Sequence, residues 1–284
     1  MQRILTLVAI ILGAAAVIGL VGLTAWRLRD EQRLDGLARL LESPPGDPGA
    51  SLAGAEPLSR IPAPARRYLQ RAIAQGAPLT PFVRLSFTGQ QRLEAAPGDA
   101  GQGWLSLTGN ELIVPGHGFI WRSSLRGGLP AVSGYEMYAG DVASSRYRLL
   151  GLWPYRSSAG DPDAKRAALD RLALESVWLP TVLLPGENVS WETVDAERAQ
   201  VRLGHRDENV TLVFRVAPDG RLLEVAGPRW VNESAGYVPF GYLVEEMGAF
   251  DGYTVPTRLR AGWRPGRPDF RETLQLHVTA ASYR

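Results

Sequence analysis

The sequence contains no cysteine, one lysine (Lys165) and three histidines. The absence of cysteine excludes a disulfide framework, a thiolate metal site, a cysteine nucleophile and a lipid-modified cysteine anchor. His117, His205 and His277 lie far apart and form none of the short spacings that zinc sites use. We therefore expect no metal site and no cofactor.

Sequence motifs for catalysis are also missing. The chain has no G-x-S-x-G nucleophile turn, no G-x-x-x-x-G-K-[ST] phosphate loop and no G-x-G-x-x-G after a strand. Glu245 and Glu246 are adjacent, and a strand would point them to opposite faces, where they cannot act together as acid and base. No catalytic residue is assigned, and an enzyme would need carboxylates drawn from separate strands.

The excess of positive charge is small, since 31 basic residues stand against 29 acidic ones. A protein that binds nucleic acid needs clustered positive charge. The nearest candidate cluster consists of five arginines near the C-terminus, which we interpret as the solvated face of a strand. They are Arg258, Arg260, Arg264, Arg267 and Arg271. We expect no nucleic-acid partner.

Residues 4–26 form one uncharged apolar segment, ILTLVAIILGAAAVIGLVGLTAW. As a helix, this segment is long enough to cross a hydrocarbon core of about 30 Å. A cleaved signal peptide has an apolar region of only about 7–15 residues. We therefore predict an uncleaved single-pass anchor with Trp26 at the interface, and we expect the bilayer as a partner.

The side of the membrane that carries the rest of the chain stays open. Arg3 precedes the apolar segment. Four arginines follow it, namely Arg27, Arg29, Arg33 and Arg39. The positive-inside rule places the C-terminal part in the cytoplasm, but large domains can be translocated largely regardless of flanking charge. Both topologies are therefore kept.

The chain after the apolar segment divides into a tether and a domain. Leu34, Leu37 and Leu41 recur at helical spacing, which predicts a juxtamembrane helix. Residues 43–57 are rich in proline, glycine and small residues, as flexible linkers are. The predicted parts are the tail and transmembrane helix at 1–26, the juxtamembrane helix and linker at 27–57, and a β-rich globular domain at 58–284.

Strands dominate the predicted domain. Apolar and polar residues alternate with a period of two around residues 83–88, 210–216, 258–264 and 274–279. This alternation predicts antiparallel strands with one buried face. The turn Pro218-Asp219-Gly220 joins two of them as a hairpin.

Two helices complete the predicted elements. A short helix is expected around 64–75, and a longer one begins at the N-cap Asp161 with Pro162 in the first turn and extends to about Trp178. One long helix between runs of strands packs on one face of a sheet. We predict the α+β class, with a curved antiparallel sheet, or half-barrel, covered by a helix.

Eight tryptophans are the most unusual positive feature. They either fill the core or line a concave apolar cavity for a lipid-like molecule. The candidate cavity residues are Trp121, Trp178, Trp191, Phe214, Trp263 and His117. The strand arginines are expected on a solvated outer face or at anionic headgroups. They are Arg84, Arg146, Arg148, Arg202, Arg215, Arg258 and Arg260.

Three motifs resemble a bacterial family of single-span membrane-anchored proteins of unknown function. They are IPAPARRYL at 61–69, LLGLWP at 149–154 and LESVWLPTVLLPGENVSWE at 174–192. The resemblance extends over about residues 58–284 and implies no catalytic or ligand residues. The expected architecture is also similar to the half-barrels of envelope lipoprotein carriers, and this analogy favours an extracytoplasmic, periplasmic domain.

Three hypotheses for function follow. In the first, the domain binds a lipid or another lipophilic molecule between its sheet and the helix that ends at Trp178. In the second, the protein is a non-enzymatic envelope scaffold whose arginine face contacts a protein partner. In the third, it is a hydrolase with carboxylates from separate strands. Protein partners and oligomeric state are not predicted.

Overall fold

An antiparallel sheet of thirteen strands forms most of the protein. The computed structural model describes residues 1–43, 58–77, 80–93, 103–127, 129–205, 208–231 and 236–283. Its helices are α1 (Gln2–Leu41), α2 (Ala63–Ala72) and α3 (Pro162–Leu174), with short 3-10 segments at Leu58–Arg60, Glu175–Trp178 and Pro180–Leu183. Its strands are β1 (Val83–Gln91), β2 (Leu105–Val114), β3 (Gly118–Gly127), β4 (Leu129–Ala139), β5 (Val142–Leu149), β6 (Trp153–Ala159), β7 (Val189–Thr193), β8 (Arg198–His205), β9 (Glu208–Val216), β10 (Leu222–Trp230), β11 (Tyr237–Phe250), β12 (Tyr253–Trp263) and β13 (Arg271–Tyr283).

The strand order explains why a helix covers the sheet. The order is β6-β5-β4-β3-β2-β1-β13-β12-β11-β10-β9-β8-β7, so every strand pairs with its neighbour in sequence except at the β1–β13 join. The two edge strands, β6 and β7, are consecutive in the chain. The segment 160–188 that connects them must therefore cross from one edge of the curved sheet to the other, and α3 lies on that path.

The face that α3 covers, called the inner face here, carries the main core. In β1, Val83, Leu85 and Phe87 are buried while the residues between them are exposed, as the period of two predicts. At the start of α3 the carboxylate of Asp161 accepts a hydrogen bond of 3.0 Å from the Asp163 amide, so the predicted N-cap is present. The predicted α+β class, a curved antiparallel sheet covered by a helix, is confirmed.

A different element covers the β7–β9 end of the inner face. The ring of Tyr68 from α2 lies 5.4 Å, centroid to centroid, from that of Phe214 in β9. Trp191 of β7 meets the same phenylalanine ring edge-on at 5.3 Å and donates its indole N–H to the carbonyl of Leu183 at 2.8 Å. This end of the half-barrel is filled with side chains.

Glu245 and Glu246 both reach the outer face, so the expectation that they point to opposite faces is wrong. The register between β11 and β12 shifts beside Glu245, and such a bulge turns the extra residue toward the face of its neighbour. Arg260 donates to Glu245 at 2.8 Å, and Arg258 pairs with Glu246 at 3.4 Å. The arginines here are exposed but already paired with carboxylates.

The second half of α1 packs on the outer face of β2–β4. Leu34 and Leu41, two of the leucines whose spacing predicts this helix, are buried there. Their cluster on the sheet consists of Leu112, Val114, Ile120, Tyr135 and Ala139. The linker residues 44–57 lie outside the described residues, so the boundary between tether and domain stays a prediction.

A buried ion cluster holds α1 to β5. Asp30 is 6% exposed and accepts hydrogen bonds of 2.5 Å from both Arg146 and Arg148. Both guanidinium groups also lie 4.8 Å from the ring centroid of Trp26. The expectation of a solvated surface is therefore wrong for these two arginines, because an acidic residue of α1 covers them.

Two further acidic residues, one in α1 and one just after it, pair with the outer face. Asp35 binds Arg122 of β3 at 2.6 Å, and Glu42, just after the helix, pairs with Arg84 of β1. Arg84 is therefore also paired instead of fully solvated. Along its length α1 thus crosses β5, β3 and β1 in turn. The sheet and the helix are held together by charge pairs at three points.

Candidate functional site

A cavity of about 840 Å³ lies between α3 and the inner face of the sheet. This volume falls in the range of small-molecule sites, about 300–1,000 Å³. Aromatic side chains form much of its wall, namely Phe119, Trp121, Tyr147, Trp178, Phe240, Tyr242 and Trp263. Aliphatic side chains fill the gaps between them, namely Val132, Ala143, Leu259, Leu274 and Leu276. Charged and hydroxyl side chains complete the wall, so the cavity presents polar as well as apolar groups.

Hydrogen bonds hold α3 and the 3-10 segment that follows it, Glu175–Trp178, over the cavity. The Asp170 carboxylate accepts from the Trp230 amide of β10 at 2.7 Å. Burial raises the pKa of this carboxyl to about 6, although the hydrogen bond from the Trp230 amide opposes the shift. The indole N–H of Trp178 donates to the Pro256 carbonyl at 3.0 Å, and the Tyr283 hydroxyl donates to the Trp178 carbonyl at 2.7 Å.

Arg171 of α3 is the centre of a buried charge cluster. Its guanidinium donates to Glu111 of β2 at 2.8 Å, to Glu136 of β4 at 2.7 Å and to Glu175 at 2.5 Å. It also lies 4.6 Å from the ring centroids of Phe119 and Trp121. Each of the three guanidinium nitrogens donates to a carboxylate, so this cation joins α3 to two strands.

Two carboxyl groups of that cluster are almost completely buried. The side chains of Glu111 and Glu175 are each 1% exposed. One oxygen of each is bound by Arg171, whereas the other, Oε2, has no hydrogen-bond partner within the described residues. Burial and the neighbouring Glu175 raise the pKa of Glu111 well above its ordinary value, although Arg171 opposes the shift. Glu111 therefore holds a proton more readily than an exposed glutamate does.

Arg229 of β10 presents a second cation to the cavity. Its guanidinium lies 4.6 Å from the ring centroid of Phe240 and 6.0 Å from that of Trp263. Unlike Arg171, it has no carboxylate within 4 Å among the residues that the structure describes. Burial, and then the charge of Arg171, lower the pKa of Arg229 from its ordinary value. The carboxylates of Glu136 and Asp170 oppose this shift, and an anion bound beside Arg229 would oppose it further.

The mouth of the cavity lies at the edge strand β6. Among the lining residues, Tyr155, Arg156 and Asp161 are the exposed ones, and they flank the gap between β6 and the start of α3. Across the cavity, Arg92 also lines the wall and has a buried Nε without a hydrogen-bond partner in the described ranges. Cationic groups thus stand at the mouth and inside.

Three of the six residues expected to line a cavity do so. Trp121 lies on β3 beneath Arg171, Trp178 follows α3, and Trp263 ends β12 beside Arg229. The ring of Trp121 stacks on that of Phe87 with a centroid distance of 4.0 Å. These tryptophans come from distant parts of the chain and meet because their strands share one inner face.

The other three residues lie elsewhere. Trp191 and Phe214 point to the inner face, but at the end where α2 fills the space. His117 lies in the exposed turn between β2 and β3, where its Nδ1 is 3.2 Å from the Pro115 carbonyl. The structure therefore places these three residues outside this cavity. No group of His, Asp or Glu side chains in the described part of the chain could hold a metal ion.

Sequence patterns of the kind used above do not identify the charged residues of the cavity. Arg171 sits among the alternating charges of a helix, and Glu111 and Arg229 each sit in an apolar strand. A charged residue on the apolar face of a strand was the available signal. For Glu111, flanking residues Leu107 and Ile113 on the same face show that the carboxylate points inward.

Comparisons with known proteins give one family and two similar solved structures. A model of the family of unknown function DUF6544 matches residues 52–273. A LolA superfamily protein from Nitrosomonas europaea is similar in structure, with a TM-score of 0.41 and 9% identity over 78% of this chain and 92% of that one. A candidate outer membrane lipoprotein-sorting protein domain from Vibrio parahaemolyticus has a TM-score of 0.38 and 8% identity over 72% of this chain and 85% of that one. No curated protein sequence matches the chain.

Proposed function

The chain belongs to the DUF6544 family of unknown function, and we propose that its domain binds an anionic, lipid-like molecule in the cavity under α3 while α1 anchors it in a membrane. This membership confirms the resemblance to a family of unknown function that the sequence motifs indicate. Among the described residues, α1 is the one helix long and apolar enough to cross a membrane. The domain would therefore work close to a source of lipids.

The observation that carries the proposal is the pairing of an aromatic wall with the guanidinium of Arg229. An acyl chain would cover the rings of Trp121 and Trp178, and apolar burial is worth about 25 cal/mol per Å². A carboxylate or phosphate group would accept hydrogen bonds from Arg229, which forms no salt bridge within 4 Å among the described residues. Arg92 and Arg156 add positive charge to the same cavity.

The scaffold and hydrolase hypotheses are less well supported. A scaffold would need a free arginine face, yet Arg258 and Arg260 are already paired with carboxylates. A hydrolase has an acid pair available in Glu111 and Glu175, but each carboxyl is 1% exposed and bound to Arg171. A substrate could reach that pair only if Arg171 moved. Lipid binding requires no such rearrangement.

Arg229→Met should remove the anchor for the anionic group while retaining the packing on Phe240 and Trp263. Losing a charged hydrogen bond of about 1.5–3 kcal/mol corresponds to roughly tenfold or weaker binding. Native mass spectrometry of the full chain in a non-ionic detergent should show a co-purified acidic lipid on the wild type and much less on R229M. R215M, which changes an outer-face arginine, is the matched control. A wild-type protein that retains no lipid would refute the proposal.

We propose that the domain lies on the extracytoplasmic side. Two points support this side. The flanking-charge rule is weak for a domain of this size, and the cavity is suited to envelope lipids. Because the chain has no cysteine, Val142→Cys creates a single exposed thiol. A membrane-impermeant maleimide should label V142C in intact cells. Labelling only after the cells are lysed would place the domain in the cytoplasm instead.

A further inference from the structure

Exposed apolar side chains are concentrated at the turn between β5 and β6. Leu150 is 61% exposed, Trp153 51% and Tyr155 48%. Single exposed apolar residues are normal on a soluble surface, but several together on one hairpin tip indicate an interaction site. The LLGLWP motif at 149–154 supplies this tip, and the proposed cavity does not account for it.

The backbone conformation of the turn indicates that leucine at position 150 does not stabilise the fold. The Leu152 amide donates to the Leu149 carbonyl at 3.0 Å, and the two residues between them have positive φ angles, 51° at Leu150 and 73° at Gly151. Turns of this kind favour Asn-Gly, and leucine is strained with a positive φ. A strained residue whose side chain is exposed contributes little to the folded state, so its apolar side chain has a use outside the fold.

The turn lies beside the point where α1 leaves its apolar segment. A Cβ atom placed on Gly151 would lie 2.8 Å from Nη1 of Arg27, so this turn touches the first residue after the segment 4–26. One residue earlier, the Trp26 ring is stacked against Arg146 and Arg148 of β5. If α1 spans a bilayer, the exposed tip is at the level of the headgroups.

We propose that the β5–β6 turn docks on the bilayer surface, with Leu150 and Trp153 inserted at the interface. This inference rests on the anchor proposed above. Tryptophan is favoured at such interfaces because its ring is amphipathic. The docked turn leads directly into β6, whose Tyr155 and Arg156 flank the mouth of the cavity. The part of the mouth that Tyr155 and Arg156 flank therefore lies nearest the membrane surface, and a lipid from the bilayer would enter the cavity there.

A pair of single-cysteine variants of the full chain tests this docking. Val142→Cys lies at the start of β5 and Leu150→Cys just beyond its other end, the strand itself being roughly 23 Å long, and both replace exposed apolar residues. The chain is reconstituted in phosphatidylcholine and phosphatidylglycerol vesicles, and each thiol carries a nitroxide. We expect the label at 150 to be accessible to oxygen and shielded from a water-soluble nickel complex, with the reverse at 142.

Two results would overturn the docking. If both labels are equally accessible to nickel while the chain resists carbonate extraction, the anchor stands and the docking does not. If carbonate releases the wild-type chain from the vesicles, the anchor proposal fails and the docking fails with it.

Leu150→Asn separates docking from folding, because asparagine suits the positive φ. We expect the thermal midpoint of L150N to equal or exceed that of the wild type, while a nitroxide at Trp153→Cys becomes more accessible to nickel in the L150N background. A clearly lower midpoint would show that Leu150 supports the fold, and the docking role would be withdrawn.

Discussion

Asp30→Ala is expected to release α1 from the sheet and to lower the free energy of unfolding by about 3–5 kcal/mol, because breaking one side of a buried ion cluster leaves uncompensated charge. Asp30 is the counterion of both Arg146 and Arg148, and Arg148 is itself buried. For a domain of this size the thermal midpoint should fall by roughly 6–20 °C. Hydrogen exchange of the full chain in detergent should accelerate in residues 28–41.

Asp35→Ala is the matched control for this experiment. Asp35 lies on the same helix and also pairs with a strand arginine, Arg122, but its side chain is 54% exposed. Exposed pairs contribute about 0–1 kcal/mol. D35A should therefore leave both the midpoint and the exchange of α1 nearly unchanged. Equal small effects of D30A and D35A would mean that the buried cluster contributes no net stability, and that α1 is held by its leucines alone.

The local pattern of the sequence predicts most elements of the fold. Alternation with a period of two identifies β1, β9, β12 and β13, because each needs only one buried face. The N-cap and proline at 161–162 identify the start of α3, because capping depends on adjacent residues. Such signals extend over only a few residues, so they can be recognised in the sequence without knowledge of the tertiary fold.

The location of the cavity could not be predicted in the same way. Alternation places Phe214 and Trp263 equally on the inner face, but only the packing of α2 and α3 decides which end of that face is filled. The ion pairs between α1 and the sheet also depend on tertiary packing. Asp30 and Arg148 are 118 residues apart, and nothing in either local sequence indicates the other.

Composition identifies the apolar segment at 4–26 but does not predict how the rest of α1 packs. The apolar run at 4–26 identifies a helix able to span a bilayer, and α1 contains it. The same apolar run does not indicate that the helix continues onto the sheet. The packing of its second half on the sheet depends on Leu34, Leu41 and acidic residues that stand among other charged residues. The second half of α1 consequently contacts the sheet directly.

Arg171→Met is expected to have the second large effect, again about 3–5 kcal/mol at neutral pH. The methionine retains much of the apolar contact with Phe119 and Trp121 but removes the cation that three carboxylates share. Arg166→Met is the matched control, because Arg166 lies on the same helix and forms an exposed pair with Asp163. Thermal unfolding of the full chain should show a large loss for R171M and a small one for R166M.

The loss in R171M should also depend on pH. The pKa of Glu111 is already raised in the folded wild type, and without Arg171 nothing in the cluster opposes that shift. The folded state then binds a proton more tightly than the unfolded state, so stability falls as the pH rises above the unfolded pKa of about 4.3. R171M should therefore approach the wild type near pH 4 and fall furthest below it near pH 8. Adding Glu111→Gln, which is neutral at every pH, should flatten this dependence on pH and restore part of the stability. Parallel pH curves for R171M and the wild type would contradict the proposed role of Arg171 as the counterion of this buried cluster.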